Sequence, residues 1–294
     1  MNRFEYVTPQ TTQEAIKELV TGTAKAGGTD LVPLMKDRIL APKKIVSLLK
    51  LDLRNKTFDR LGIRIGALTT LAEVAADETL RSEYAAFAQA AEEAATPQIR
   101  NMATVGGNLV QRPRCWYFRS DQFDCRKKGG EGCPALEGDN RYHAIFENAK
   151  CAAVHPSNLA VALAAMEGHV DIVGPKGESS IAAASLFEVG DEVTREHTLG
   201  PQDIITQVRI PTGWKSVFLE VRERQSFDWP LVSVAAAKKG EKVNVVLGGV
   251  APKPYRCPSA DPDEILKAAK PLSHNAYKLK LVRTLVTRAL EAIR

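Results

Sequence analysis

The chain has 294 residues, of which 44% are hydrophobic and 26% are charged, and its formal net charge is +5. This length exceeds the usual size of one domain, so we expect two domains with buried apolar cores. The mild positive charge is spread along the chain and no run of about 18 apolar residues occurs, which argues against nucleic-acid binding and against a membrane span.

The first half of the chain combines predicted helices and strands with short connections. Apolar residues at helical spacing predict helices over residues 12–20, 71–76 and 83–95, and a further helix over residues 158–166 opens after Pro156 and Ser157. Strands are predicted over residues 44–49 and 61–67. Residues 24–31 are expected to form a strand end that runs into a tight turn.

The second half is predicted to contain strands first and helices last. Charged and turn residues near residues 186–200 indicate a domain boundary, which separates residues 1–185 from residues 186–294. Alternating patterns then predict strands of one antiparallel sheet over residues 204–210, 217–221, 231–237 and 243–250. The last helix is expected to begin at a cap formed by Asn275 and to carry one apolar stripe. This order indicates an α+β domain.

The N-terminus lacks the apolar segment of a signal peptide, because polar residues return at Thr8, Pro9 and Gln10. We therefore expect the protein to be made and folded in the cytoplasm, where thiols stay reduced. Export to the periplasm inside a complex, on the signal of a partner, is also compatible with this sequence.

Two short segments share a Gly-Gly pair flanked by threonine and by Asp or Asn: residues 26–30 (AGGTD) and residues 104–108 (TVGGN). Glycine has no Cβ and accepts positive φ, so its backbone N–H can approach a phosphate closely. Asp30 and Asn108 are expected to reach ribose or further phosphate oxygens. Two tight turns without a ligand are the alternative interpretation. The sequence has no Rossmann or P-loop glycine motif, which excludes those two kinds of site.

Four of the five cysteines lie between residues 115 and 151. The stretch from Cys125 to Cys133 is polar and glycine-rich, so a bound group is expected to order it, and four thiolates suit a [4Fe–4S] cluster. A four-cysteine zinc site, disulfides and free buried thiols are the alternatives, and Cys257 is expected to be a separate thiol. Basic residues that would offset the charge of a cluster are Arg112, Arg114, Arg119, Arg126, Lys127 and Lys128.

Three segments carry a resemblance to a known family: residues 26–31 (AGGTDL), 65–69 (IGALT) and 98–109 (QIRNMATVGGNL). With them the chain resembles, over nearly its whole length, the FAD-binding subunits of molybdenum hydroxylases, the family of xanthine dehydrogenase, aldehyde oxidoreductase and carbon monoxide dehydrogenase. The cysteine-bearing region is similar to that of the periplasmic aldehyde oxidoreductase FAD subunit and, less closely, of the 4-hydroxybenzoyl-CoA reductase β subunit. Both of these carry an extra [4Fe–4S] cluster on an inserted loop.

The resemblance implies an α+β fold. Residues 1–185 would form an FAD-binding domain of the vanillyl-alcohol oxidase and CO dehydrogenase flavoprotein type, with two α/β subdomains at about residues 1–57 and 58–185. An iron–sulfur insert would occupy residues 112–152. Residues 186–294 would form the C-terminal antiparallel-sheet-and-helix domain of the CO dehydrogenase flavoprotein type. FAD would lie extended between the subdomains, with its pyrophosphate on the two glycine segments.

The resemblance also implies which residues bind the cofactors, and it implies no catalytic side chain, because the flavin carries the chemistry. Asn158 stands where relatives have the Asp of a Ser-Asp pair, and Glu220 stands where several relatives have a lysine near the flavin. The implied FAD contacts are Lys25, Ala26, Gly27, Gly28, Thr29, Asp30, Leu31, Ile99, Ala103, Thr104, Gly106, Gly107, Asn108, Ser157, Asn158, Ile204, Ile205 and Glu220. The implied cluster ligands are Cys115, Cys125, Cys133 and Cys151.

The function implied by the resemblance is electron transfer within a heterotrimer. A large partner subunit would hold the molybdenum cofactor, and a small partner would hold [2Fe–2S] clusters that pass electrons to FAD on this chain and then to an external acceptor. One alternative is the β subunit of a 4-hydroxybenzoyl-CoA reductase type of complex, in which electrons run toward molybdenum. The other is a non-enzymatic four-cysteine zinc module that scaffolds an assembly or contacts nucleic acid.

Overall fold

The computed structural model describes residues 1–224 and 227–294. It begins with a three-stranded parallel sheet in the order β1-β3-β2, with a short helix in each of the two connections between strands. Its elements are β1 (Glu5–Val7), α1 (Thr12–Glu18), β2 (Thr23–Lys25), α2 (Leu31–Lys36) and β3 (Lys44–Ser47). The predicted helix and strands of this region are confirmed, and the turn after β2 leads directly into α2.

A five-stranded antiparallel sheet follows, in the order β4-β5-β8-β6-β7. Its strands are β4 (Lys56–Asp59), β5 (Gly62–Gly66), β6 (His169–Gly174), β7 (Gly177–Ala182) and β8 (Ile204–Pro211). The helices between β5 and β6 are α3 (Leu71–Ala76), α4 (Glu78–Glu83), α5 (Ala85–Glu92), α6 (Pro97–Arg100), α7 (Val105–Leu109) and α8 (Asn158–Ala165).

The C-terminal part is a four-stranded antiparallel sheet covered by helices, in the strand order β12-β11-β10-β9. Helix α10 packs on β10 through an apolar stripe that includes Val282, Leu285 and Ala289. The elements are β9 (Lys215–Arg222), β10 (Pro230–Lys239), β11 (Lys242–Gly248), β12 (Tyr255–Arg256), α9 (Pro262–Leu266) and α10 (Lys278–Ala292). The α+β class is confirmed. Among the described residues no helix is long and apolar enough to span a membrane.

The largest apolar core joins the two antiparallel sheets. Helix α8 is buried along its entire length, and it packs against α5, β10 and β11. Its apolar residues share one core with Ile65 of β5 and Val208 of β8. A helix that is apolar on all sides is stable only inside a protein, so α8 is held between the two sheets.

One strand prediction is wrong. Residues 204–210 were expected in the sheet of the C-terminal domain, but β8 pairs with β5 and β6 in the five-stranded sheet. The alternation of apolar residues predicts a strand but does not determine its pairing partner, which lies far away in sequence. The sheet of the first part therefore continues past residue 186, and the division into two domains at that residue stays a prediction.

The predicted cap of the last helix is also wrong. Helix α10 begins at Lys278, after Tyr277. Asn275 instead binds the cysteine-bearing insert, because its Nδ2 donates to the carbonyl oxygens of His143 and Ala144, both at 3.2 Å. The Lys278 side chain is fully buried, and its Nζ donates to the carbonyls of Tyr142, His143 and Gly249 at 2.7–3.0 Å. The C-terminal helix thus holds the insert through buried polar contacts.

We expect Lys278→Met to lower the free energy of unfolding by roughly 3 kcal/mol, because it leaves three buried carbonyl oxygens without their shared donor. Lys280→Met is the matched control: this lysine is exposed on the same helix, and its replacement should change the stability by less than about 0.5 kcal/mol. Chemical unfolding followed by circular dichroism measures both. Equal stabilities of the two variants would contradict the structural role of Lys278.

Candidate functional site

The two glycine segments meet at one continuous cleft. Two neighbouring cavities, with about 1020 and 1110 Å³ of space when their open mouths are counted, share Thr29, Asp30, Gly107 and Gln111 in their walls. The two cavities therefore form one continuous cleft that runs past both glycine segments.

The first glycine segment lines the cleft with unused hydrogen-bond donors. Among the described residues, the backbone N–H groups of residues 27–31 donate to no other group. Gly28 has a φ of +76°, and a Cβ on Gly27 would lie 1.8 Å from the carbonyl oxygen of Met102. Successive free N–H groups in a turn form a concave site for an anion. This loop fits the phosphates of a nucleotide.

The second glycine segment has a different role, because its N–H groups already have partners. Val105 donates to Thr69 and Gly106 donates to Ala67, each at 2.9 Å, while Gly107 donates to the capping hydroxyl of Thr104 at 3.2 Å. A Cβ on Gly106 would meet the Ala67 Cβ at 3.0 Å. The glycines here allow close packing of α7 at the floor of the cleft.

Sixteen of the eighteen implied FAD contacts line the cleft. Ser157 and Glu220 do not, but each bonds to a residue that does: the Ser157 hydroxyl donates to Asn108 Oδ1 at 2.6 Å, and Asn158 Nδ2 donates to Glu220 Oε2 at 2.9 Å. The first cavity is lined by Lys25, Ala26, Gly27, Gly28, Thr29, Asp30, Leu31, Thr104, Gly106, Gly107, Ile204 and Ile205. The second is lined by Thr29, Asp30, Ile99, Ala103, Gly107, Asn108 and Asn158.

Glu220 is buried on strand β9 behind Asn158. Burial raises the pKa of its carboxyl to about 7, and the neighbouring Arg222 opposes this rise. Arg222 donates to Glu220 and also to Glu93 Oε2, at 2.7 Å in the latter case. The structure places the two departures from the family pattern, Asn158 and Glu220, in direct contact.

The sequence interpretation missed the ion pairs around Asp30. Its carboxylate accepts from the backbone N–H of Arg112 at 2.8 Å and from the guanidinium groups of Arg114 and Arg119. Burial favours the neutral acid, but Arg114 and the two other donors outweigh it and hold the pKa of Asp30 below its usual value. The carboxylate accepts hydrogen bonds from three residues of the insert, and its expected contact with ribose stays a prediction.

The other basic residues of the insert also have protein partners. Lys127 is buried and pairs with Glu196 at 3.0 Å, and Arg112 reaches the other oxygen of the same carboxylate at 2.9 Å. Arg126 donates to the carbonyl oxygens of Glu131 and Lys150. These contacts order a segment that has only two short 3-10 turns, over Arg126–Lys128 and Pro134–Leu136.

The four cysteines of the insert approach one another in pairs. Cys115 lies in apolar clusters with Cys125 on one side and Cys133 on the other. Cys133 and Cys151 share a hydrogen bond, which lowers the pKa of Cys133 to about 6. Within residues 1–224 and 227–294, no three His, Cys, Asp or Glu side chains surround a common point as ligands of one metal ion. The donor set, four thiols in one polar loop, fits a thiolate-bound cluster chemically.

His143 completes the surroundings of Cys115. Its Nε2 lies 3.2 Å from the Cys115 Sγ, and its ring contacts Trp116 edge-on with a centroid distance of 5.5 Å. Burial lowers the pKa of His143 to about 4. Sequence spacing alone could not identify this contact, since His143 is 28 residues from Cys115.

Comparisons with known proteins agree with this site. A family model described as the FAD binding domain in molybdopterin dehydrogenase matches residues 2–213. The aldehyde oxidoreductase FAD-binding subunit PaoB of Escherichia coli K12 is 38% identical over 286 residues, covering 91% of this chain and 90% of that protein. The carbon monoxide dehydrogenase medium chain of Hydrogenophaga pseudoflava is 26% identical over 270 residues, covering 86% and 77%.

Solved structures share the fold over the full chain. A carbon monoxide dehydrogenase from Hydrogenophaga pseudoflava superposes with a TM-score of 0.77 at 21% identity, covering 99% of this chain and 97% of that one. Quinoline 2-oxidoreductase from Pseudomonas putida 86 superposes with a TM-score of 0.75 at 19% identity, covering 99% and 97%.

We expect Asp30→Asn to lower the free energy of unfolding at pH 7 by roughly 2 kcal/mol, because two half-buried guanidinium groups lose their counter-charge. A carboxylate with a depressed pKa stabilises the fold above its unfolded pKa of about 3.9 and loses this contribution as the pH falls below that value. The stability difference between the two proteins should therefore shrink below about pH 4. Urea unfolding at pH 7 and pH 3.5 checks this, and an unchanged difference at the lower pH would contradict it.

Proposed function

Because this chain belongs to the family of FAD-binding domains in molybdopterin dehydrogenases, we propose that it is the FAD- and [4Fe–4S]-containing electron-transfer subunit of a molybdenum hydroxylase complex of the aldehyde oxidoreductase and xanthine dehydrogenase type. The chain is an oxidoreductase subunit. In the proposed complex, a large partner holds the molybdenum cofactor and a small partner holds [2Fe–2S] clusters. Electrons leave through this chain to an external acceptor. Assembly in the cytoplasm stays a prediction.

The observation that supports the FAD assignment is a cleft lined by backbone N–H groups that have no hydrogen-bond acceptor among the described residues. The backbone N–H groups of residues 27–31 have no partner among the described residues, and these residues line a cleft formed by two adjoining cavities. Bound FAD supplies one- and two-electron transfer, which side chains cannot perform alone. The protein residues bind and orient it: the glycine loop would hold the phosphates, and Ile204 and Ile205 provide an apolar wall.

The cluster assignment is supported by the chemistry of the insert. Its four thiols lie in one irregular loop. The hydrogen bond with Cys151 lowers the pKa of the Cys133 thiol. Thiolates are the ligands of iron–sulfur clusters, and buried surroundings with hydrogen bonds to sulfur tune such clusters. In this proposal Cys115, Cys125, Cys133 and Cys151 would hold the cluster, and His143 lies against the first of them.

We expect Gly27→Ala to weaken FAD binding by about tenfold or more, since the added Cβ would displace the loop from Met102 and widen the cleft. Gly132→Ala is the matched control, because a Cβ at Gly132 meets no atom within 4 Å. Titration of the deflavinated complex with FAD, followed by quenching of flavin fluorescence, gives both affinities. Equal affinities would overturn the placement of the phosphates on this loop.

For the cluster, we expect the complex purified without oxygen to hold about four irons in this chain beyond those of its partners. Cys133→Ala should remove most of that iron while FAD stays bound. Cys257→Ala should keep all of it, because Cys257 packs in the C-terminal apolar cluster, which contains none of the four cysteines of the insert. Iron and acid-labile sulfide assays with an absorption spectrum measure this. Flavin without the additional iron in the unaltered protein would overturn the cluster and leave the FAD assignment intact.

A further inference from the structure

We propose that Glu220 is a positioning residue that fixes the side-chain amide of Asn158 with its carbonyl oxygen toward the cleft, as an acceptor for an N–H group of the bound flavin. Glu220 itself does not line the cleft, so it acts only through Asn158. This inference rests on the proposed binding of FAD and adds a determinant of how the flavin ring is recognised.

The orientation of the Asn158 amide follows from its one hydrogen bond. Nδ2 donates to Glu220 Oε2 at 2.9 Å, and Oδ1 accepts from no described residue. Asn158 is the first residue of α8, whose cap is formed by the Ser157 hydroxyl accepting from Ala160 at 3.0 Å. The backbone of Asn158 is thereby fixed. The choice that then remains for the side-chain amide is whether Oδ1 or Nδ2 points toward Glu220. As a carboxylate, the form that Arg222 favours, Glu220 accepts from NH2 and would repel a carbonyl oxygen, so in that form it selects one of the two orientations.

Glu220 is held in place by its own neighbours. Arg222, two residues further along β9, donates to the Glu220 carboxyl and to Glu93, which lines the second cavity. The Glu220 side chain is 4% exposed, so water does not compete for its oxygens. Glu93, Arg222, Glu220 and Asn158 are connected by hydrogen bonds into one polar network at the second cavity. Buried networks of this kind fix side chains rigidly.

A lysine at position 220 would reverse the selection. Its ammonium group donates and never accepts, so it would bind the Asn158 carbonyl oxygen and turn Nδ2 toward the cleft. The flavin N–H would then face another donor. An aspartate at position 158 would restore an acceptor, because one carboxylate oxygen can pair with the lysine while the other faces the ligand. The two positions should therefore tolerate exchange only together.

The test measures FAD affinity and the flavin midpoint potential of the deflavinated and reconstituted complex for Glu220→Lys, Asn158→Asp and the double variant. We expect about tenfold weaker binding and a shifted potential in each single variant, consistent with one lost or opposed hydrogen bond. The double variant should return to within about threefold of the unaltered protein. Glu220→Gln has one carbonyl oxygen for two donors, Arg222 and Asn158 Nδ2, and its own NH2 group can donate, so its affinity and potential should fall between those of the unaltered protein and Glu220→Lys.

Several outcomes would overturn the inference. One is a Glu220→Lys protein that binds FAD with unchanged affinity and potential, and another is a double variant whose losses simply add. If Glu220→Lys does not fold, Glu220→Leu is used in its place: it removes the acceptor without adding a positive charge, and an affinity equal to that of the unaltered protein would reject the role. Failure of the unaltered complex to bind FAD would instead reject the proposed function on which the inference rests.

Discussion

The carboxylate of Asp30 joins the two walls of the cleft, and the remaining features of the site depend on it. The residue lies in the first glycine segment, while its partners Arg112, Arg114 and Arg119 come from the start of the insert. Burial alone would favour the neutral acid, but two guanidinium groups and one N–H keep it ionised. These three contacts hold the loop in place, and the backbone N–H groups of residues 27–31 have no other partner among the described residues.

The insert shows how a segment with little regular structure is held in one place. It contacts the first residue of the C-terminal helix, Lys278, and Asn275 in the segment before that helix. It also contacts the connection before β8 through the pair formed by Lys127 and Glu196. Each of these groups is buried, and a buried polar group is costly unless its hydrogen bonds are made. The cysteines therefore occupy defined positions because residues far along the chain satisfy the backbone around them.

The features that the sequence predicts well are local ones. Apolar periodicity predicts α8 and the strands, because the spacing of apolar residues along the chain shows which face of a helix or strand is buried. The glycine segments and most residues of the cleft are identified by the family resemblance. The pairing of β8 is not predictable in this way, since alternation is the same in any sheet.

The features that the sequence could not predict are long-range partners. The two glycine segments look alike, yet only the first keeps free N–H groups, because the carbonyl oxygens of Ala67 and Thr69 occupy those of the second. The contact between Asn158 and Glu220 joins residues 62 positions apart. It exists only because α8 packs against the C-terminal sheet. In both cases the decisive group is supplied by the tertiary fold.

The position of Arg114 connects the cleft with the cysteines. Its guanidinium group binds Asp30 and lies 4.8 Å from the ring centre of Trp229, and the next residue in the chain is Cys115. A third cavity is lined by Cys115 and His143, and it shares Arg114 and Trp229 with the second cavity of the cleft. Arg114 and Trp229 therefore form a common wall between the cleft and the cavity beside Cys115. A cluster proposed at the cysteines and FAD proposed in the cleft would lie on opposite sides of that wall.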